Sequence, residues 1–61
     1  MKTEVELKND DQRYNEYKKG ERGYIDGYVR GADNRPYLCI VIGERIIMCL
    51  PNEVKVIGEL L

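Results

Sequence analysis

The sequence has no histidine, tryptophan or phenylalanine, no serine, and a single threonine, Thr3. Imidazole bases and hydroxyl nucleophiles are therefore effectively missing, which removes the commonest acid–base and acyl-transfer machinery. The two cysteines, Cys39 and Cys49, sit in an apolar run, and apolar surroundings raise a thiol pKa and make it inert. The chain is expected to be no enzyme and to carry no cofactor. Two thiols without histidine also fall short of a zinc site, which takes four nitrogen or sulfur ligands. No apolar stretch approaches the ~20 residues of a membrane span, and Met-Lys-Thr-Glu-Val-Glu lacks the apolar core of a signal peptide. A cytoplasmic protein read from a complete small reading frame, with no membrane partner, is the expectation. An excess of one charge is lacking too: the formal net charge is −1, so the total does not suggest a nucleic-acid binder.

At 61 residues the chain is one domain, and domains of such size bury only about 60% of the unfolded surface. Most of its strongly apolar residues lie in residues 37–50, Tyr-Leu-Cys-Ile-Val-Ile-Gly-Glu-Arg-Ile-Ile-Met-Cys-Leu. Two β-branched and aliphatic runs flank Gly43-Glu44, and a Gly at the first central position supplies the positive φ of a two-residue type II′ turn. This is a β-hairpin, apolar at nearly every position, as for strands buried on two sides. The turn pairs Ile42 with Arg45, Cys39 with Met48 and Cys49 with Leu38. The two thiols then point to opposite faces and remain free, buried small hydrophobes. A hairpin alone is not stable in water, so other strands must wrap around it.

Thr3 through Lys8 alternate with Val5 and Leu7 apolar, the pattern of a half-buried edge strand. Asn9-Asp10-Asp11 breaks it. Residues 12–19 are too polar for a core element; Tyr14 and Tyr17 could share one side of a helical turn, or the segment is an irregular loop. After the turn signal Gly20-Glu21-Arg22-Gly23, the alternation of Tyr24-Ile25-Asp26-Gly27-Tyr28-Val29-Arg30 places Ile25, Gly27 and Val29 inward. Tyr24, Asp26, Tyr28 and Arg30 then share the outer face, with Gly27 marking a bend. Residues 31–36 are a loop, Pro51-Asn52-Glu53 stops the second hairpin strand, and Val54-Lys55-Val56-Ile57 makes a last strand ended by Gly58. The tail Leu60-Leu61 packs on the domain or meets a partner.

This order of elements resembles the Src-homology-3-like barrel. Leu50-Pro51-Asn52-Glu53-Val54-Lys55-Val56-Ile57 is similar to that family's Pro-Ser-Asn-Tyr-Val-Lys-x-Ile ending, where Pro-Asn forms a single 3₁₀ turn; one residue is missing here. Gly20-x-x-Gly23-x-Ile25 looks like the core of the KOW motif of ribosomal and elongation-factor barrels. The chain as a whole is similar to short uncharacterised phage and prophage proteins of Gram-positive bacteria. The resemblance implies an all-β, small five-stranded Src-homology-3-like barrel: residues 1–16 an N-terminal strand and polar loop, 17–57 the barrel core, 58–61 a tail. It departs where the family binds proline-rich peptides. Tyr37 stands where a Trp is expected, Glu53 replaces the terminal Tyr, and the Ala-Leu-Tyr-Asp-Tyr segment has no counterpart.

The binding candidates are Tyr24, Tyr28 and Arg30 on one face, with Arg22, Arg35 and Tyr37 nearby. Tyr and Arg are enriched at interaction hot spots, although tyrosines in a small barrel also serve to cover its open end. The expected function is a non-catalytic interaction module with an unidentified protein partner, a phage-type accessory protein among the options. One alternative is a KOW-like nucleic-acid binder using Lys18, Lys19, Arg22, Arg30 and Arg35, with Tyr24 and Tyr28 as stacking rings. Another is a structural homo-oligomer, burying the first strand or the Leu60-Leu61 tail. Gly20-x-x-Gly23 as a backbone clamp for nucleic acid is a weaker form of the first alternative, since a plain turn accounts for it.

Overall fold

The computed structural model describes residues 2–60. Five strands, β1 (Lys2–Leu7), β2 (Arg22–Arg30), β3 (Pro36–Ile42), β4 (Arg45–Cys49) and β5 (Val54–Leu60), are joined by loops and one 3₁₀ turn, η1 (Pro51–Glu53). Every pairing is antiparallel, in one sheet of order β4-β3-β2-β1-β5. The ladder does not close into a ring, so β4 and β5 are its edges among the described residues.

The hairpin forms as its turn dictates. Gly43 has φ of +59° and Glu44 is not in the positive-φ region, the type II′ combination. Ile42 pairs with Arg45, Cys39 with Met48 and Leu38 with Cys49, so the thiols face opposite ways and both are free. Cys49 is buried, whereas Cys39 is only half-buried. The strands are covered on one face alone: Leu38, Ile40, Ile47 and Cys49 point into the core, while Ile46 and Met48 are 66% and 54% exposed. Val5 and Leu7 of β1, Val54 of β5 and Tyr17 complete the buried cluster, with Ile25 and Ile42 packed against it.

Four expectations are corrected, three by the ladder and one by burial. β1 is no edge strand; it lies between β2 and β5, which is why Val5 and Leu7 are fully buried. β5 does not stop at Gly58, because Glu4 pairs with Gly58 beyond a register shift and carries the ladder on to Lys2 and Leu60. The backbone of Leu60 thus belongs to β5, while the packing of the Leu60 and Leu61 side chains lies outside the described residues. In β2 the register shifts between Ile25, opposite Ile40, and Gly27, opposite Cys39, which makes Asp26 an extra residue. One extra residue reverses the alternation beyond it. Tyr28 aligns with Leu38 and Val29 with Tyr37, so Gly27 and Val29 turn outward, and the stripe Tyr24, Asp26, Tyr28, Arg30 is split between two faces. Tyr17, placed in a segment too polar for the core, is 2% exposed and among the largest buried side chains. Its neighbour Tyr14 is 76% exposed, and residues 12–19 form an irregular loop with no helical turn.

A candidate ligand cleft between two loops

The loop of residues 8–21 is long but not slack, because Asp11 organises it. This nearly buried carboxylate accepts the N–H groups of Arg13 (3.0 Å) and Tyr14 (3.3 Å) on Oδ1 and of Glu16 (2.9 Å) on Oδ2. Burial by itself would raise the Asp11 pKa, but these backbone donors, Glu16 foremost, outweigh it and hold the carboxyl below its ordinary value. The Asp11 N–H in turn donates to the Tyr17 carbonyl at 2.9 Å, closing the loop over the buried Tyr17 ring. Arg13 then reaches η1, where its Nη2 donates to Glu53 Oε1 at 2.7 Å. The same Glu53 oxygen accepts the Leu50 N–H at 2.7 Å, so loop and 3₁₀ turn share one carboxylate. The bond to Glu53 raises the Arg13 pKa further, and the guanidinium carbon lies 5.7 Å over the Tyr37 ring.

The facing loop, residues 31–35, is equally constrained. Tyr37 Oη donates to Asp33 Oδ2 at 2.6 Å, and Asp33 Oδ1 accepts the Arg35 N–H at 3.1 Å. The bond from Tyr37 is the main cause that lowers the Asp33 pKa, and the carboxylate raises the Tyr37 pKa in return. Asn34 adopts φ of +66°, a left-handed conformation that Asn tolerates. Gly31 packs under the aromatic ring: a Cβ there would sit 2.5 Å from Tyr37 Cε2 and 2.9 Å from Asp33 Oδ1. Arg30 braces the loop from β2, its Nη1 donating to the Asn34 carbonyl at 2.7 Å.

Between these two loops lies a cleft of about 320 Å³ lined by Arg13, Tyr14, Glu16, Gly31, Ala32, Asp33, Tyr37 and Met48. That volume is at the low end of small-ligand sites. Its walls combine two tyrosine rings and a methionine with the carboxylates of Glu16 and Asp33, while Arg13 is already engaged by Glu53. Gly31 and Arg13 cover the Tyr37 ring and Asp33 is bonded to Tyr37 and Arg35, so the exposed Tyr14 ring and Glu16 are the groups that can stack on, and neutralise, a cationic side chain.

Of the six sequence candidates, the cleft takes in Tyr37 alone. Arg35 lies beside it, with Nε 3.8 Å from Asp33 Oδ2. Arg22 is paired with Glu6 at 3.0 Å on the β1–β2 face, Tyr24 is half-buried with Lys2 Nζ 4.1 Å from its ring centre, and Tyr28 stands 72% exposed outside the cleft. Sequence reasoning did not select Arg13, Tyr14, Glu16, Asp33 and Met48 as a group. The available signal was a long polar loop carrying an aromatic residue, since such loops on a rigid sheet commonly bear binding residues. Among the described residues no three Cys, Asp or Glu side chains gather as a metal site, and no helix is long and apolar enough to cross a membrane.

No protein-family model matches this chain, and no curated protein or solved structure matches it either.

Proposed function

We propose that the protein is a non-catalytic interaction module of the Src-homology-3-like kind, which takes an extended segment of a partner protein into the cleft between residues 8–21 and 31–35. The segment carries a Lys or Arg side chain that lies against the exposed Tyr14 ring and is neutralised by Glu16. The observation that carries this reading is that both walls are held in place by their own hydrogen bonds, Asp11 and the Arg13–Glu53 pair on one side, Gly31, Asp33 and Tyr37 on the other. A pre-organised cleft avoids the ordering cost that weakens flexible binding sites. The sheet order, the type II′ hairpin and the single 3₁₀ turn before β5 support the family likeness. A phage-type accessory role in the cytoplasm is part of the same proposal.

The KOW-like alternative has less support. Of the five cations it would use, Arg22 and Arg35 are each within 4.0 Å of a carboxylate, and the net charge of the chain is −1.

A peptide array probed with wild type, with Tyr14→Ala/Glu16→Gln and with Tyr24→Ala/Tyr28→Ala, all three confirmed folded, tests the proposal. Bound peptides should share a basic residue, and the first variant should lose binding at least about tenfold while the second keeps it. Loss in the second variant alone would move the site to β2. Binding only of single-stranded oligonucleotides, falling steeply with salt, would favour the KOW-like reading.

A further inference from the structure

We infer that the free edge of β4 is a self-association surface, on which a second copy of this chain docks antiparallel about a two-fold axis at Ile47. The sheet has two edges, and they are not alike. β5 carries Lys55 and Glu59 and a register shift against β1, features that blunt an edge against unwanted pairing. β4 has one charge, Arg45 at its start, and this guanidinium is turned away onto Glu21 at 2.5 Å and the Glu16 carbonyl at 2.7 Å.

The hairpin fixes which backbone groups the β4 edge presents. A two-residue turn makes Ile42 and Arg45 a hydrogen-bonded pair, and the alternation that follows makes Val41–Ile46 and Cys39–Met48 non-hydrogen-bonded pairs. The N–H and C=O groups of Ile46 and Met48 therefore point away from β3, and no bond to them occurs among the described residues. Their side chains, on the outer face, are 66% and 54% exposed.

Chemistry selects the register. Centred on Ile47, each Ile46 faces the partner's Met48, so apolar meets apolar and all the outward N–H and C=O groups of both residues are satisfied. Centring on Ile46 instead would set Met48 against the partner's Glu44. Centring on Met48 would require the backbone of Leu50, whose N–H is given to Glu53 Oε1 and whose carbonyl accepts the Glu53 N–H. Charge agrees with the antiparallel sense: the two Arg45 side chains lie at opposite ends of the interface, each held by its own Glu21, whereas a parallel pairing would set them side by side. With strands of five residues the contact is small, so the dimer is weak, with Kd on the order of 100 µM.

Sedimentation velocity and amide exchange from about 10 µM to about 1 mM test this. Wild type should pass from monomer to dimer, with the Ile46 and Met48 amides gaining protection as it does. Ile46→Lys, confirmed folded, should remain monomeric; Val56→Lys on the β5 edge should dimerise as wild type does. A wild type that stays monomeric throughout, a dimer that survives Ile46→Lys, or one lost on removing residues 60–61 would overturn the inference. Ile46 does not line the cleft but Met48 belongs to both surfaces, so peptide binding is compared at about 10 µM, where the protein is monomeric; there it should be unchanged in Ile46→Lys, and the two proposals fail separately.

Discussion

Arg13 and Glu53 are forty positions apart in the chain and meet at 2.7 Å, tying the longest loop to the 3₁₀ turn. The pair is partly exposed, so its own contribution is modest; a double-mutant cycle in urea should give a coupling of about 0.5–1 kcal/mol. Glu53 also accepts the Leu50 N–H, so Glu53→Ala should cost more than Arg13→Ala, about 1–2 kcal/mol against about 0.5–1. Equal losses would mean that the Leu50 bond contributes nothing.

Asp11 makes the fold acid-sensitive. Its folded pKa lies below the ordinary 3.8, so its contribution is fully present above that value and is lost as pH falls through the folded pKa. Glu21 and Asp33, also lowered, act in the same direction. Unfolding followed by circular dichroism should show stability falling below about pH 4. Asp11→Asn should flatten that fall and weaken the protein at neutral pH by about 1–3 kcal/mol, since an amide offers one acceptor where Oδ1 and Oδ2 now serve three N–H donors. An unchanged acid limb in the variant would exclude Asp11 as its source.

Tyr17 sets the alkaline limit. Its hydroxyl is buried and finds no hydrogen-bond partner among the described residues, and burial pushes its pKa from 10.0 up to about 12. A raised folded pKa means stability present below pH 10 and lost as pH rises through the folded value. Tyr17→Phe keeps the ring in the core and removes the unpaired hydroxyl. It should be neutral or stabilising by up to about 1 kcal/mol near pH 7, and should lose the destabilisation between pH 10 and 12. A loss above about 1 kcal/mol near pH 7 would show that the hydroxyl is bonded after all.

The hairpin was legible because a Gly at one turn position sets the register of every residue beside it, and Cys39 and Cys49 fell on opposite faces as the alternation requires. The order of the sheet was not, because Val5 and Leu7 give the same alternating pattern at an edge as between two strands. The β2 faces failed at one residue: nothing in Tyr-Ile-Asp-Gly-Tyr-Val announces that Asp26 is extra, and every residue beyond it changes side. Tyr17 was hidden by its neighbours, since a polar segment can drop one large ring into a core. The cleft joins residues from 13 to 48 in the chain, so it exists only once the two loops face each other. Tyr37 is the one cleft residue among the six sequence candidates, set apart in the sequence by standing where the resembled family has a Trp.

The thiols should separate by reactivity. Cys49 is fully buried and its pKa is pushed by burial from 9.0 up to about 11, so it should resist alkylation until the protein unfolds. Cys39, half-buried on the other face, should be the only one labelled under native conditions, and mild oxidation should not join the two. Mass spectrometry showing Cys49 labelled first, or an intramolecular disulfide in folded protein, would contradict the hairpin register.

Three glycines should respond to alanine in three different ways. At Gly23 a Cβ would collide with the Val41 carbonyl oxygen and come within 2.9 Å of Ile42 Cγ1, so Gly23→Ala should force β2 away from β3 and cost more than about 2 kcal/mol. At Gly27 the Cβ would meet nothing within 4 Å and φ is not positive, so Gly27→Ala should be tolerated, or stabilise by about 0.5 kcal/mol through the unfolded chain. Gly31→Ala presses on the Tyr37 ring and on Asp33, not on the core, so its effect should fall on the cleft. Peptide affinity should drop while the urea midpoint moves little, because a loop and an exposed tyrosine–carboxylate bond can shift without opening the sheet. If Gly31→Ala instead unfolds the protein as readily as Gly23→Ala, the 31–35 loop is part of the fold's foundation, and the cleft wall is not an independent unit.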